Sequence, residues 1–443
     1  MDEFNRIWSG LGASVRKLLE ELSSRPDKPL NESVLLSEEH AATLKALMGP
    51  EQYAHARSLA EKARVQTDRS AGNVIIVPGF MACSIGTSQE VIWMNLRSII
   101  QGDLIRLALN GQNPDVGNLG VMSLGYILLK LQLELAGFSV QYFSYDWRKS
   151  FAAAGAELTR FIEQQNLQKV SLVAHSMGGL VARAAIAQGN QRIDKLVMLG
   201  TPNYGSFITI PSIRGTFLMV KMLAALDLKH TAQQLAEQVV ATWPGIYEMM
   251  PSPDKFPTGS FYSLSGWPDN PPRPEPLQLQ AALEVQRSLA GPGQVPFYLI
   301  AGVNVRTLAT AAMNDGKLQY TYSNAGDTVS LLASAQMDKM PTYYADGVTH
   351  ANLPYTPSVN QAAAELLLTG TAQSLPGQCP PIKSEQPGAL HEVEESFVHV
   401  AKDVATQAAT LLKHGTVLPG SPFVNTLGTP EGHLPWSEPA QSS

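Results

Sequence analysis

Ser176 sits in Val173-Ala174-His175-Ser176-Met177-Gly178-Gly179, between an apolar run (Val170, Leu172, Val173) and the helix-like stretch Leu180-Val181-Ala182-Arg183-Ala184-Ala185. Small residues two positions before and after the serine, Ala174 and Gly178, allow a sharp strand-to-helix turn with the hydroxyl at its apex. A serine hydroxyl becomes a useful nucleophile only when a base removes its proton and a carboxylate orients that base. The downstream sequence offers both. His350, in Gly347-Val348-Thr349-His350-Ala351-Asn352-Leu353-Pro354, follows a strand-like stretch (residues 340–344) and precedes an expected helix (residues 360–368). Among the other histidines, His230 falls in a helix- and loop-rich segment, and His391, His399, His414 and His433 fall in a tail. Residues 318–329 read as a strand ending in a Gly326-Asp327 turn, which makes Asp327 the candidate acid. Asp315 and Asp338 compete with it, a purely turn-forming aspartate is the alternative, and Asp346 lies too close to His350 in sequence. An oxyanion formed at the serine needs N–H donors. The expected ones are the backbone N–H groups of Met177, directly after the serine, and of Phe80, in the turn Val77-Pro78-Gly79-Phe80. Cys83 has no motif of its own and reads as packing.

These groups require a scaffold. Strand-like and helix-like segments alternate from residue 74 onward: strands at 74–77, 140–145, 169–173, 195–199 and 297–301, and helices at 119–136 and 155–164. That alternation predicts an α/β class fold, a mostly parallel sheet with helices on both faces. Residues 1–70 are expected to be a helical N-terminal extension. One apolar face there comprises Phe4, Ile7, Trp8, Leu11, Val15, Leu18, Leu19 and Leu22, and a second helical segment runs from about residue 39 to 64. The core is assigned to residues 71–203 and 295–371. The intervening 204–294, helical and loop-like with the proline-rich Trp267-Pro268-Asp269-Asn270-Pro271-Pro272, reads as a cap over the site. Residues 372–443 read as a linker (375–381) followed by an amphipathic helix carrying Val393, Phe397, Val400, Val404, Ala408 and Leu411, then a tail.

Composition removes several function classes. The net charge of −6, with no basic cluster interleaved with aromatics, argues against nucleic acid as a partner. Two widely separated cysteines, Cys83 and Cys379, form neither a disulfide framework nor a metal-ligand set, so no metal and no cofactor is expected. Met1-Asp2-Glu3-Phe4 lacks the basic and apolar regions of a signal peptide, and no uninterrupted apolar run looks long enough to cross a bilayer, which predicts a cytoplasmic location. The terminal helices are candidate surfaces for a protein partner, or for transient contact with a membrane, with Arg6, Arg16 and Lys17 beside the first apolar face.

Taken together, Val77-Pro78-Gly79, Tyr145-Asp146-Trp147-Arg148, Ala174-His175-Ser176-Met177-Gly178-Gly179, Gly200-Thr201-Pro202-Asn203-Tyr204-Gly205-Ser206, Gly326-Asp327-Thr328-Val329 and His350 resemble the lecithin:cholesterol acyltransferase-like branch of the α/β-hydrolases. The resemblance covers about residues 73–370. It implies an α/β-hydrolase fold, with Ser176 as nucleophile, Asp327 as acid, His350 as base, and Phe80 and Met177 as oxyanion donors. It also implies Trp147 and Tyr204 as substrate-binding residues. Core packing with an Asp146/Arg148 ion pair is the alternative for Trp147. The expected substrate is a lipid or other acyl ester, opened through an acyl-serine. Water as acceptor gives an esterase, lipase or phospholipase; an alcohol gives an acyltransferase. The competing class is a catalytically silent interaction protein on the same scaffold.

Overall fold

The structure, a computed structural model, describes residues 32–227, 229–257, 261–289 and 295–384. The apolar faces expected at Phe4–Leu22 and Val393–Leu411, and His391, His399, His414 and His433, lie outside the described residues.

Eleven strands are described: β1 (Gly72–Val77), β2 (Cys83–Gly86), β3 (Val91–Trp93), β4 (Gly117–Val121), β5 (Phe138–Tyr142), β6 (Val170–His175), β7 (Ile193–Leu199), β8 (Phe297–Val303), β9 (Thr307–Asn314), β10 (Lys317–Ser323) and β11 (Thr342–Asp346). Six of them form a sheet in the order β11-β8-β7-β6-β1-β5 with every neighbour parallel. Strands covered on both faces need apolar side chains at consecutive positions. Val74-Ile75-Ile76-Val77 and Leu172-Val173-Ala174 supply them, all with no exposed surface. Register fixes where the chemistry falls: Val77 pairs with Ala174, and His175 with Leu199, so the loops after β1, β6 and β7 emerge side by side.

Nine helices matter below: α1 (Glu38–Met48), α2 (Pro50–Val65), α3 (Ile127–Leu135), α4 (Phe151–Gln164), α5 (Met177–Ala187), α6 (Leu218–Leu226), α7 (Pro244–Glu248), α8 (Pro276–Ser288) and α9 (Pro357–Thr369). Around the sheet, α4 packs on α5 and α3 on α9. The α1–α2 pair buries Leu44, Met48, Tyr53 and Leu59 against Ile127, Leu128 and Leu131 of α3 and against Tyr355.

Two sequence expectations change and one gains detail. The helical segment expected over 39–64 is there as two helices, separated at Gly49, whose φ of 83° starts a turn completed by Pro50. The helix expected over 119–136 begins only at Ile127, because residues 117–121 pair antiparallel with β2 in a small second sheet with β3. Pairing with a distant strand overrides the local helical spacing there. The strand expected over 318–329 is β10, which belongs to a two-stranded hairpin with β9 and not to the main sheet. Its alternating exposure fits a ribbon covered on one face only.

The apolar stretch Thr209–Leu226 has the length and hydropathy of a membrane span, against expectation, but it is bent at Gly215 (φ 66°) and 56% of it is buried inside the fold. Residues 371–384 run along the edge strand β11, where Tyr344 N donates to Pro376 O. Asn304 Oδ1 accepts from Lys383 N, and Asn304 Nδ2 donates to Pro381 O.

Glu248, at the end of α7, joins the inserted segment to the core. Its Oε2 accepts the Phe151 N–H at 2.6 Å, at the start of α4. Burial pushes its carboxyl up to about 7 from the ordinary 4.5. The folded chain therefore binds this proton more tightly than the unfolded one. The resulting stability is fully present below about pH 4.5 and is lost as pH rises through about 7. Glu248→Gln keeps a carbonyl acceptor for Phe151. It is expected to flatten the unfolding free energy between about pH 5 and about pH 8, and to raise it at the upper end by on the order of 2 kcal/mol. Denaturant unfolding at several pH values reads this; a wild-type curve that does not fall over that window would refute it.

Candidate active site

The turn at Ser176 is as sharp as its neighbours allow. Ser176 adopts φ 55°, ψ −129°, a region that non-glycine residues rarely occupy and that costs on the order of 1–3 kcal/mol. Three hydrogen bonds hold it there: Ser176 N donates to Leu199 O, while Ser176 O accepts from Gly179 N and from Thr201 Oγ1. A Cβ on Gly178 would lie 2.4 Å from Val77 O and 2.5 Å from Pro78 O, so only glycine lets the start of α5 press against the end of β1.

Asp327 and His350 reach the same edge. The hairpin carries the chain away after β8 and returns it beside that strand's end, where a Cβ on Gly302 would lie 2.6 Å from Asp327 Cβ. Asp327 Oδ2 accepts from His350 Nδ1 at 2.8 Å, and Oδ1 accepts the N–H groups of Val329 and Ser330 at 3.0 and 2.7 Å. Asp327 O also accepts His350 N at 2.6 Å. With Nδ1–H given to the carboxylate, His350 Nε2 carries the free lone pair. It is buried and has no hydrogen-bond partner. Gly200 lies against this pair: its Cβ position is 2.8 Å from Asp327 Oδ2 and 3.0 Å from His350 Nδ1. Leu199, the preceding residue, holds Ser176 N, so serine, histidine and aspartate converge at the carboxyl ends of β6, β7 and β8.

The loop after β1 closes the other side. A Cβ on Gly79 would be 3.0 Å from Ser176 Cβ, which brings Phe80, the next residue, beside the serine. Tyr145 Oη donates to Pro78 O, and Tyr126 Oη accepts from Gly79 N, each at 2.9 Å. Met177 is the first residue of α5, where backbone N–H groups have no partner within the helix. Two N–H-bearing turns therefore flank Ser176.

Aromatic rings form the wall behind Phe80. Its ring meets Trp147 at 5.0 Å and Trp243 at 6.1 Å, both edge-on, and Trp147 meets Trp93 and Trp243. Trp147 has no exposed surface and its indole N–H is given to Cys83 O, so it touches the site through Phe80. The neighbouring Asp146 and Arg148 form a buried ion pair, with Arg148 also donating to Leu107 O and Val116 O. Tyr204 N donates to Ser334 O, its carbonyl accepts from Ser252 N, and Lys255 Nζ lies over its ring at 5.1 Å. Within the inserted segment, Trp243 gives its N–H to Leu107 O, and a Cβ on Gly245 would be 2.8 Å from Met177 Cε. Residues 243–245 thus lie over the start of α5. Sequence reasoning gives no role to Tyr126, takes Gly200 only as the first residue of the motif over 200–206, and reads Trp243 as core of its segment or as lining for an acyl chain. Their parts depend on contacts with residues far away in the chain, which no local spacing signals.

Of the competing acids, Asp346 accepts from Asn304 and Asp315 sits in the tip of the β9–β10 hairpin. His230 pairs with Asp227. Burial pushes the Cys83 thiol up to about 12, which leaves it unreactive. No cluster of metal-ligating side chains is present among the described residues.

The family described as "alpha/beta hydrolase fold" matches residues 99–263 of the chain, a stretch that contains the Ser176 turn. The chain has the α/β-hydrolase fold. That matched stretch is less than half of the chain, and Phe80, Asp327 and His350 lie outside it. The uncharacterized protein YJR098C of Saccharomyces cerevisiae is 25% identical over 152 residues, covering 30% of this chain and 23% of that protein, so the chain matches under a quarter of that relative's length. Among solved structures, the mature lipase BlEst2 of Bacillus licheniformis is 12% identical with a TM-score of 0.35, over 68% of this chain and 91% of that one. The carboxylesterase CesB of Bacillus subtilis is 10% identical with a TM-score of 0.35, over 72% and 98%. In the α/β-hydrolase order, serine, acid and histidine follow one another along the chain. Ser176, Asp327 and His350 occur in that order.

Proposed function

We propose that this α/β-hydrolase is a serine hydrolase of carboxylic esters, with a lipid-like acyl ester as substrate and a place in the lecithin:cholesterol acyltransferase-like branch. The observation that carries this reading is His350: its Nδ1–H is fixed on Asp327 while its buried Nε2 has no partner, beside a serine held in a strained turn. Such a nitrogen is a base waiting for a proton. Ser176 Oγ attacks the acyl carbon and its proton passes to His350 Nε2. The carbonyl electrons move onto the oxygen, which the N–H groups of Phe80 and Met177 receive. Collapse of this intermediate expels the alcohol, which takes the proton from His350, and leaves acyl-Ser176. Water then attacks with its proton going to His350, and the acid is released as Ser176 regains a proton. The Phe80, Trp147 and Trp243 wall and the cover over α5 suit an apolar acyl group.

Purified wild-type protein should hydrolyse a p-nitrophenyl ester and a phospholipid, and should be labelled by a fluorophosphonate probe. Product analysis with an added long-chain alcohol separates the two acceptors. Free acid as the sole product supports the hydrolase, and a new ester supports an acyltransferase on the same acyl-enzyme. Folded protein that neither turns over an ester nor takes the probe would leave the silent interaction protein as the reading.

A further inference from the structure

We infer that His175 and Tyr126 are positioning residues of the acyl-transfer site, joining the oxyanion loop to the general base through one chain of hydrogen bonds. The inference rests on the proposed function, since it concerns how that site is held.

Three bonds make the chain. Gly79 N lies 2.9 Å from Tyr126 Oη, Tyr126 Oη lies 2.9 Å from His175 Nδ1, and His175 Nε2 lies 3.0 Å from His350 O. Chemistry fixes the direction of each. A carbonyl oxygen can only accept, so His175 Nε2 carries a hydrogen and donates to His350 O. Burial, with His350 close by, pushes the His175 imidazole down to about 3, so the ring is neutral and Nδ1 bears a lone pair. Nδ1 therefore accepts from the Tyr126 hydroxyl, and the Tyr126 oxygen accepts from Gly79 N–H. Burial raises the Tyr126 hydroxyl well above its ordinary range, so it keeps its proton. Every donor and acceptor in the chain is satisfied with one tautomer only.

Each end of this chain is a catalytic element of the proposed site. Gly79 precedes Phe80, whose N–H is the oxyanion donor. His350 is the base, and His175 grips its backbone while their rings lie 4.9 Å apart. A second bond ties the His350 turn to the Tyr126 segment: Tyr355 Oη, in the turn that begins at His350, donates to Leu124 O, two residues before Tyr126. The side chains are tightly confined, since a Cβ on Gly79 would lie 3.2 Å from His175 Nδ1. His175 has no path to the reacting atoms, being engaged at both nitrogens. Its role is to set the separation between oxyanion donor and base, which a displacement of about 1 Å would spoil by roughly 100-fold.

The two halves of the chain can be separated. His175→Asn places an amide near the Nδ1 position and can meet Tyr126, but it does not reach His350. His175→Gln places its NH2 near the Nε2 position and restores the bond to His350 O. Tyr126→Phe keeps the His175 to His350 bond and frees Gly79. With the full chain and a p-nitrophenyl ester, His175→Asn and Tyr126→Phe are each expected to lower kcat by about 10- to 100-fold with KM changed by less than about 3-fold. His175→Gln is expected to recover most of the loss seen with His175→Asn. Proton NMR gives an independent reading: the downfield His350 Nδ1–H signal should shift or broaden in His175→Asn and stay in place in Tyr126→Phe. Unfolding midpoints are measured for all three. Wild-type kcat in every variant, or a loss of kcat that only follows the loss of folded protein, would overturn the inference. If wild-type protein shows no esterase activity and takes no fluorophosphonate, the proposed function fails instead. An unmoved His350 signal in folded His175→Asn would then refute the positioning role by itself.

Discussion

Ser176→Ala is expected to lose fluorophosphonate labelling entirely and to lower ester turnover by roughly 10^6-fold, while its unfolding midpoint stays at or above the wild-type value. The two halves of this expectation have separate physical causes. On the proposed mechanism, turnover falls because the attacking hydroxyl of Ser176 is gone. Stability holds because every bond that shapes the turn uses the backbone of residue 176, namely its N–H to Leu199 and its carbonyl from Gly179 and Thr201. His350→Ala should match the serine variant, since a hydroxyl without a base is inert. The double variant should be no worse than either single one, because the residues act as a unit. His230→Ala, which disrupts a separate pair with Asp227, should leave kcat within about 3-fold of wild type. Full labelling of Ser176→Ala, or normal turnover in His350→Ala, would sink the assignment.

What could be read in the sequence was local. The strand, turn and helix around Ser176 are encoded within about a dozen consecutive residues, and the bare glycine at 178 is a direct consequence of the space available. The apolar runs of β1, β6 and β7 are legible for the same reason: strands buried on both faces have no polar alternation to obscure them. The misread segments depend on distant partners. Residues 119–121 have helical spacing, but their backbone is recruited by β2. Residues 318–323 have strand propensity, but their partner is β9 rather than a strand of the main sheet. Asp327 arrives beside β8 by a different route from the one expected, returned there by a hairpin turn and not delivered by a sheet strand.

The site shows the same division. Ser176, Asp327 and His350 can be singled out by residue type, chain order and turn chemistry. The groups that hold them cannot. His175 lies in full view next to the serine, yet its role comes from Tyr126, 49 positions upstream, and from the backbone of His350, 175 positions downstream. Gly200 opens the motif over 200–206 in the sequence, but its own part shows only once the Asp327 and His350 side chains are placed against it. Trp147, for which substrate contact and core packing beside an Asp146/Arg148 ion pair are both open in the sequence, is enclosed by Phe80, Trp93 and Trp243 one layer below the Ser176 turn. Aromatic type alone cannot distinguish those two depths.

Asp327→Asn is the second large effect, and here the hydrogen-bond partners dictate its mechanism. In wild type, Oδ1 accepts two backbone N–H groups and Oδ2 accepts from His350 Nδ1. An asparagine has one oxygen for these two positions. Facing Val329 N–H and Ser330 N–H, its NH2 would meet two donors, so the oxygen takes that side and the NH2 turns toward His350. Nδ1 must then accept, which moves the imidazole hydrogen to Nε2 and leaves no lone pair to receive the Ser176 proton. The variant should fold with wild-type stability to within about 1 kcal/mol, because the turn keeps both backbone bonds. Its kcat should fall by roughly 10^4-fold, with KM little changed. Asp327→Ala should behave differently. It leaves the Val329 and Ser330 N–H groups unpaired in a buried turn, at about 1–3 kcal/mol, but imposes no tautomer on His350. Its kcat should accordingly exceed that of Asp327→Asn once both are corrected for folded protein. A kcat in Asp327→Asn above about a tenth of wild type would show that His350 keeps its working tautomer without the carboxylate, and that Asp327 is a turn-forming residue alone.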